Sequence, residues 1–294
     1  MRIAAFTMVH NEADFLPLWI RHYGREIGVE NLYCVDHGSD DGSTEGIGIS
    51  ITRFPRRRDF DSVIRSFLIA NFHASLLRSH DAVIFSDADE FLVADPAKYA
   101  GLRDAIAASN APVLRAMGLD VLHRPAEEPA LDMAHPVLAQ RRRVKFAKYY
   151  CKTLVARVPL RWEPGFHACS IHAEPQPGVF LLHLKYADRD IFARSLAKRR
   201  AVARSAQDLE KGFGYQWRMD EAQFLELAYA NPALDPPGGD AALEPFEPYV
   251  ARWREQVIAE AALPGEWLTP PVILPARFAA CIPGRDAMST LSPA

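Results

Sequence analysis

An α/β fold on a mostly parallel, Rossmann-like central sheet flanked by helices is what this sequence predicts, and three observations carry the prediction. Short apolar runs alternate with helix-like segments through the first half of the chain. Each of the first three runs ends in polar residues, as strands do when they deliver a site to one edge of a sheet. At 294 residues, 49% hydrophobic and 10% aromatic, the chain can bury a large core and carry a smaller appendage.

Residues 2–9 read as the first strand, about 12–26 as a helix, 31–36 as a strand, 61–79 as a helix and 81–86 as a third strand. Parallel strands need crossover connections, and the intervening helices supply them. Asp95-Pro96 reads as an N-cap followed by a first-turn proline, opening a helix to about Ala108. Between 112 and 183, the β-prone runs 152–156 and 179–182 complete the sheet among loops that face a second substrate. An Ala/Arg/Leu-rich pattern predicts a helix from Asp190 to about Lys211, with further helices at 221–230 and 246–262 around the turn-rich stretch 231–239. The proline-bearing residues 270–294 read as an extended or disordered tail.

The formal charge of −3 gives no global field for nucleic acid, so no nucleic-acid partner is expected. Basic residues cluster at 53–58, 141–148 and 194–204, which suits phosphates, an anionic membrane surface or plain solvated faces. Cys34, Cys151, Cys169 and Cys281 lie far apart without metal-ligand spacing, and the chain opens directly on strand-like residues. A cytoplasmic setting is expected, with peripheral contact at the inner face of the membrane left open. No apolar stretch approaches the roughly 20 residues that span a bilayer.

The most informative stretch is Asp81-Ala-Val-Ile-Phe-Ser-Asp-Ala-Asp-Glu-Phe-Leu-Val93, an apolar run that meets three carboxylates. Asp87 and Asp89 are two apart, so in an extended chain both leave one face, a pairing suited to a hard divalent cation. Earlier strand ends carry Met8-Val-His-Asn-Glu12 and Tyr33-Cys-Val-Asp-His-Gly-Ser-Asp-Asp-Gly-Ser-Thr44. Asp36 can accept hydrogen bonds from a base N–H or a ribose hydroxyl, or serve its own turn. Asn11 and Glu12 suit either a site or a helix cap.

In this order and spacing, the three motifs resemble the family 2-like glycosyltransferases of GT-A fold, in the branch whose acidic motif reads Asp-Ala-Asp-Glu-Phe. The resemblance covers about residues 2–200. It implies a catalytic, nucleotide-sugar-binding domain over 1–200, followed by a helical extension over 201–294. It implies that Asp36 lies near the base, and that Asp87 and Asp89 form a DxD motif binding Mn2+ or Mg2+ on the donor diphosphate, Asp89 the more direct ligand. His183, in Leu181-Leu-His-Leu-Lys-Tyr186, matches a late histidine that joins the metal or diphosphate. An O,O,N donor set favours Mn2+ more than a pure oxygen site does. Lys152, Tyr186 and Lys198 resemble positions around the donor phosphates, with Asn11 and Glu12 beside them. One departure stands out: His37 occupies a position where the family often carries aspartate.

Inverting transfer, which the resemblance implies, needs a general base opposite the leaving diphosphate. Glu163, in Arg161-Trp-Glu-Pro-Gly-Phe-His167, has a suitable chain position and aromatic neighbours, with Asp120 and Asp188 as competitors. His167 suits an acceptor or a phosphate. The expected function is transfer of a sugar from a nucleotide donor, UDP first, to a glycan or other hydroxyl acceptor, as in surface polysaccharide synthesis. GDP and dTDP donors stay open. The alternatives are a non-catalytic nucleotide-sugar or glycan-binding relative, and a sugar nucleotidyltransferase. The latter usually carries an early glycine-rich basic loop, whereas residues 8–16 hold neither glycine nor lysine nor arginine.

Overall fold

The computed structural model describes residues 1–56, 59–230, 238–243, 245–259 and 270–285. Among these, ten strands form one mixed sheet. They are β1 (Ile3–Val9), β2 (Leu32–Asp36), β3 (Ser50–Arg53), β4 (Ala82–Phe85), β5 (Glu90–Ala94), β6 (Val113–Val121), β7 (Arg143–Phe146), β8 (Thr153–Ala156), β9 (Pro175–His183) and β10 (Val272–Ile273). The helices are α1 (Leu16–Ile27), α2 (Ser62–Leu76), α3 (Leu102–Ala107), α4 (Val137–Gln140), α5 (Arg189–Ala201), α6 (Ala206–Glu210), α7 (Glu221–Tyr229) and α8 (Phe246–Ile258).

The parallel part runs β4–β1–β2–β3, and β8, β6, β7 and β10 extend it through antiparallel pairs, with β9 lying parallel to β6. β1 is buried at every position, as a strand with helices over both faces must be. The expected α/β architecture with flanking helices therefore holds. One core packs β1, β2 and β4 against α1, through Trp19 and Tyr23, and a second packs their other face against α2. Asp61 caps α2, accepting from the Val63 and Ile64 N–H groups.

Several boundaries differ from the sequence reading. The acidic run is not one strand: β4 stops at Phe85, residues 86–89 turn, and the following apolar residues form β5 on β9. Asp95 opens only a turn, because Gly101 is extended and α3 starts afterwards, and its carboxylate is held by Arg277 at 2.7 and 3.0 Å. The helix expected over 190–211 breaks at 202–205 into α5 and α6. Residues 270–285 are ordered into the fold: β10 joins β7, and the imidazole of His22 lies 3.1 Å from the Cys281 carbonyl. Phe246, Trp253 and Phe278 enter the main core. The stretch 231–237, residues 260–262 of the last expected helix and residues 286–294 of the tail lie outside the described residues. No described helix is long and apolar enough to cross a membrane.

Candidate active site

The C-terminal ends of β1, β2 and β4 open on one cavity of about 1060 Å3, as expected for a sheet of this kind. His183, at the end of β9, reaches it from the antiparallel side.

The acid turn is held from behind by α1. Trp19 Nε1 donates to Ser86 Oγ at 2.9 Å, Ser86 Oγ donates to the Tyr23 hydroxyl at 3.2 Å, and that hydroxyl donates to the Glu90 carbonyl at 3.2 Å. The turn at 88–89 gives the two cavity-lining aspartates different partners. Asp87 meets Arg65 of α2 at 2.6 Å, and Asp89 meets Nε2 of His183 and the Arg199 guanidinium, each at 3.5 Å.

Strand register places the rest. His183 of β9 pairs with Glu90 of β5 on one side and Asp120 of β6 on the other. Nδ1 of His183 hydrogen-bonds Asp120 at 2.7 Å, and Glu90 takes the Lys152 ammonium at 2.7 Å. Tyr150 stacks on the imidazole, ring centroids 3.9 Å apart. This approach requires glycine at 118, since a Cβ there would lie 2.4 Å from the Tyr150 backbone.

Charges in this cluster are strongly coupled. Burial works against charge on His183, yet its hydrogen bonds to Asp120 and Asp89 push its pKa up to about 9. Burial also opposes the Asp89 carboxylate, but His183, Arg199 and Lys185 hold it well below the usual carboxylate range. Glu12 behaves in the opposite way. Burial and then the neighbouring Asp89 charge push it up to about 7.

The first two strand-end loops are tied together. Asn11 adopts the left-handed region at φ 57°, which asparagine tolerates, and exchanges hydrogen bonds with Asp40 at 2.7 and 2.9 Å. Its carbonyl accepts from Lys198 at 2.8 Å. Asp36 is 1% exposed, accepting from the Ser39 N–H at 2.8 Å and the Thr44 hydroxyl at 2.9 Å, with Arg53 at 3.3 Å. It organises its own turn, and His37 is the loop residue that lines the cavity.

Of the residues singled out from sequence, Asn11, Glu12, Asp87, Asp89, Asp120, His167, His183, Tyr186 and Lys198 line this cavity. Four do not. Asp36 serves its turn and Lys152 lies behind Glu90, both buried. Asp188 caps α5 and accepts from the Leu131 N–H, so its carboxylate is spent on backbone. Glu163 is exposed on a turn beside the cavity. Asp120, engaged by His183, orients that ring and is not an unengaged base. Sequence reasoning missed Arg65, Glu90, Lys185, Arg199 and Trp217. Glu90 stood inside the acidic motif, Lys185 two residues after His183 and Arg199 inside the basic cluster 194–204; for Arg65 and Trp217 no local signal exists.

Among the described residues, no group of three or more His, Cys, Asp or Glu side chains stands at metal-holding geometry. The donors still fit a divalent cation of the kind that takes one or two protein ligands and completes its shell with substrate phosphate and water. Asp89 offers an oxygen beside Nε2 of His183, a nitrogen donor once a cation displaces its proton, and Asp120 holds Nδ1 as carboxylates behind metal-bound histidines do.

No family model and no curated protein matches this chain. Among solved structures, glucosyl-3-phosphoglycerate synthase from Mycobacterium tuberculosis, in complex with Mn2+ and uridine-diphosphate-glucose, aligns at 19% identity over 30% of this chain and 33% of that one, TM-score 0.24. A mycobacterial protein aligns at 16% identity over 42% and 41%, TM-score 0.28. CMP:2-keto-3-deoxy-manno-octonic acid synthetase complexed with CTP aligns at 12% identity over 74% and 85%, TM-score 0.27. The match thus spans a third of the length of the first of these. Likenesses this slight do not extend those proteins' ligands or activities to this chain.

Proposed function

We propose that this protein is a metal-dependent glycosyltransferase that moves a sugar from a nucleotide-sugar, a UDP-sugar first, to a hydroxyl acceptor. One observation carries the reading: Asp89 and His183 stand together at the strand ends of a cavity whose wall also presents Lys185, Lys198 and Arg199. Acid and imidazole donors beside several cations suit a divalent cation paired with a diphosphate.

Asp89 and His183 would hold Mn2+ or Mg2+, which supplies Lewis-acid stabilisation of the departing diphosphate. Arg199 and Lys185 face the same charge as the sugar–phosphate bond breaks and its electron pair passes to the phosphate oxygen. Asp120 and Tyr150 keep the His183 ring in place. His37 lines the cavity two strands from the acid turn, roughly 10 Å at the usual strand spacing, and on this reading the nucleoside would extend to that side.

The acceptor proton needs a base, and the cavity carboxylates differ in availability. Asp87, Asp89, Glu90 and Asp120 each face a cationic side chain at 4.0 Å or less. Glu12 has no ion pair to a described residue, one of its oxygens accepts from the Phe15 N–H at 3.3 Å, and burial raises its pKa toward the range that suits proton transfer near neutrality. We assign it the proton acceptor's role in place of Glu163, Asp120 and Asp188.

The test is thermal stabilisation by UDP, GDP and dTDP, each with and without Mn2+, followed by assay of the matching nucleotide-sugars for release of the nucleoside diphosphate. A manganese-dependent shift with turnover supports the reading. Binding without turnover makes the protein a sensor, and pyrophosphate release from a nucleoside triphosphate makes it a nucleotidyltransferase.

A further inference from the structure

Lys185 and Arg199 reach the cavity from different elements, and one indole holds both. The Lys185 ammonium lies 4.4 Å from the ring centroid of Trp217, 4.8 Å from Tyr186, 5.4 Å from Phe224 and 5.5 Å from Phe192. The guanidinium carbon of Arg199 lies 4.7 Å from the centroid of the same Trp217 ring. Four aromatic faces around one ammonium fix its position far more firmly than a single surface contact does. Both cations act on Asp89, Arg199 at 3.5 Å.

Trp217 belongs to a short 3-10 turn at Tyr215–Arg218 and Phe224 to α7, in the third of the chain without a recognisable motif. Their rings pack together and onto α5, with centroids 6.1 Å apart for Trp217 and Phe224 and 5.4 Å for Phe192 and Phe224. An aromatic cluster that merely fastened these elements would need no cations. Two like charges against one ring repel each other; Asp89 supplies one counter-charge, and an anion in the cavity they face adds a second.

We propose that Trp217 is a positioning residue for the leaving diphosphate, holding Lys185 and Arg199 at the cavity wall so that the 215–229 segment forms part of the donor site. The identity of the anion rests on the transferase reading; the clamp itself does not.

Calorimetric titration of UDP and UMP into the wild-type protein, Trp217→Leu, Lys185→Gln and the double variant tests this. Trp217→Leu should bind UDP roughly tenfold more weakly with UMP much less affected. The double variant should lose no more than the larger single loss, because the indole acts through the ammonium. Trp217→Tyr should recover most of the affinity. Equal weakening of UDP and UMP, or full additivity with Lys185→Gln, marks a structural role and overturns the proposal. Should Trp217→Leu not fold, Trp217→Phe carries the same cycle. If the wild-type protein binds neither nucleotide, the transferase reading fails, and inorganic pyrophosphate decides the clamp separately: tighter binding to wild type than to Lys185→Gln and Trp217→Phe supports it, and equal binding overturns it.

Discussion

His183 bonds Asp120 through Nδ1 at 2.7 Å and presents Nε2 to Asp89 at 3.5 Å, so one imidazole is oriented by one carboxylate and aimed at another. The arrangement follows from register, because Asp120 and His183 are partners across β6 and β9. Asp120→Asn should keep the fold and weaken manganese-dependent UDP binding about 10- to 100-fold, the usual effect of losing such an orienting partner. Isothermal titration with Mn2+ present reads this directly; unchanged affinity would remove Asp120 from the site.

Asp89→Ala should abolish the manganese-dependent part of nucleotide stabilisation. The circular dichroism spectrum should stay native, since Asp89 sits in a turn and supports no strand ladder through its side chain. A variant that still shows the full metal-dependent shift would displace Asp89 as a ligand.

Glu12 carries a pH signature. Its folded pKa of about 7 lies above the ordinary glutamate value of 4.5, so between those values the unfolded chain releases its proton first. The contribution of this group to stability is fully present below pH 4.5 and is lost as pH rises through 7. Relative to Glu12→Gln, the metal-free wild-type protein should lose melting temperature from pH 5 to pH 8; parallel curves would contradict the shift. The same variant should bind UDP and fail in transfer.

Lys152 and Glu90 form a buried ion pair at 2.7 Å, both side chains nearly inaccessible. Lys152→Met leaves Glu90 buried and unpaired, and should cost about 3–5 kcal/mol in urea denaturation. Adding Glu90→Gln should recover part of that loss. If the single variant is as stable as wild type, the pair does not support the acid turn.

Glu163→Gln should retain transfer, because Glu163 stands on an exposed turn outside the cavity lining. Loss of turnover with donor binding intact would return the proton-accepting role to it.

Of the parallel strands, β1, β2 and β4 were legible because they are apolar runs that end in polar punctuation, and the acid turn because its carboxylates interrupt such a run; β3, exposed at every position, shows no such run. The pairing of Asp87 with Arg65 was not legible, since the partners approach through tertiary packing of α2 on the sheet. Asp36 reads two ways from sequence for a local reason: an aspartate opening Asp-His-Gly-Ser-Asp suits a ligand or its own turn, and the turn takes hydrogen bonds from the Ser39 N–H and the Thr44 hydroxyl. Likewise Asp188, read as a competitor for the base, is an N-cap whose pattern of following N–H groups was visible in principle. The residues after 200 carry no motif because their contribution is a box of rings around Lys185, which no spacing rule encodes.

β10 closes onto β7 across some of the longest sequence separations in the molecule, and Arg277 and the Cys281 carbonyl then engage Asp95 and His22. During synthesis, the surfaces of α1 and β5 that receive this segment are made early and wait until residues 270–285 emerge. Folding of such a topology is slow, and its half-finished state displays uncovered core. Growth temperature and chaperone supply should therefore govern how much of the protein accumulates in usable form, and a fusion or tag that delays the docking of residues 270–285 should lower yield before it touches catalysis.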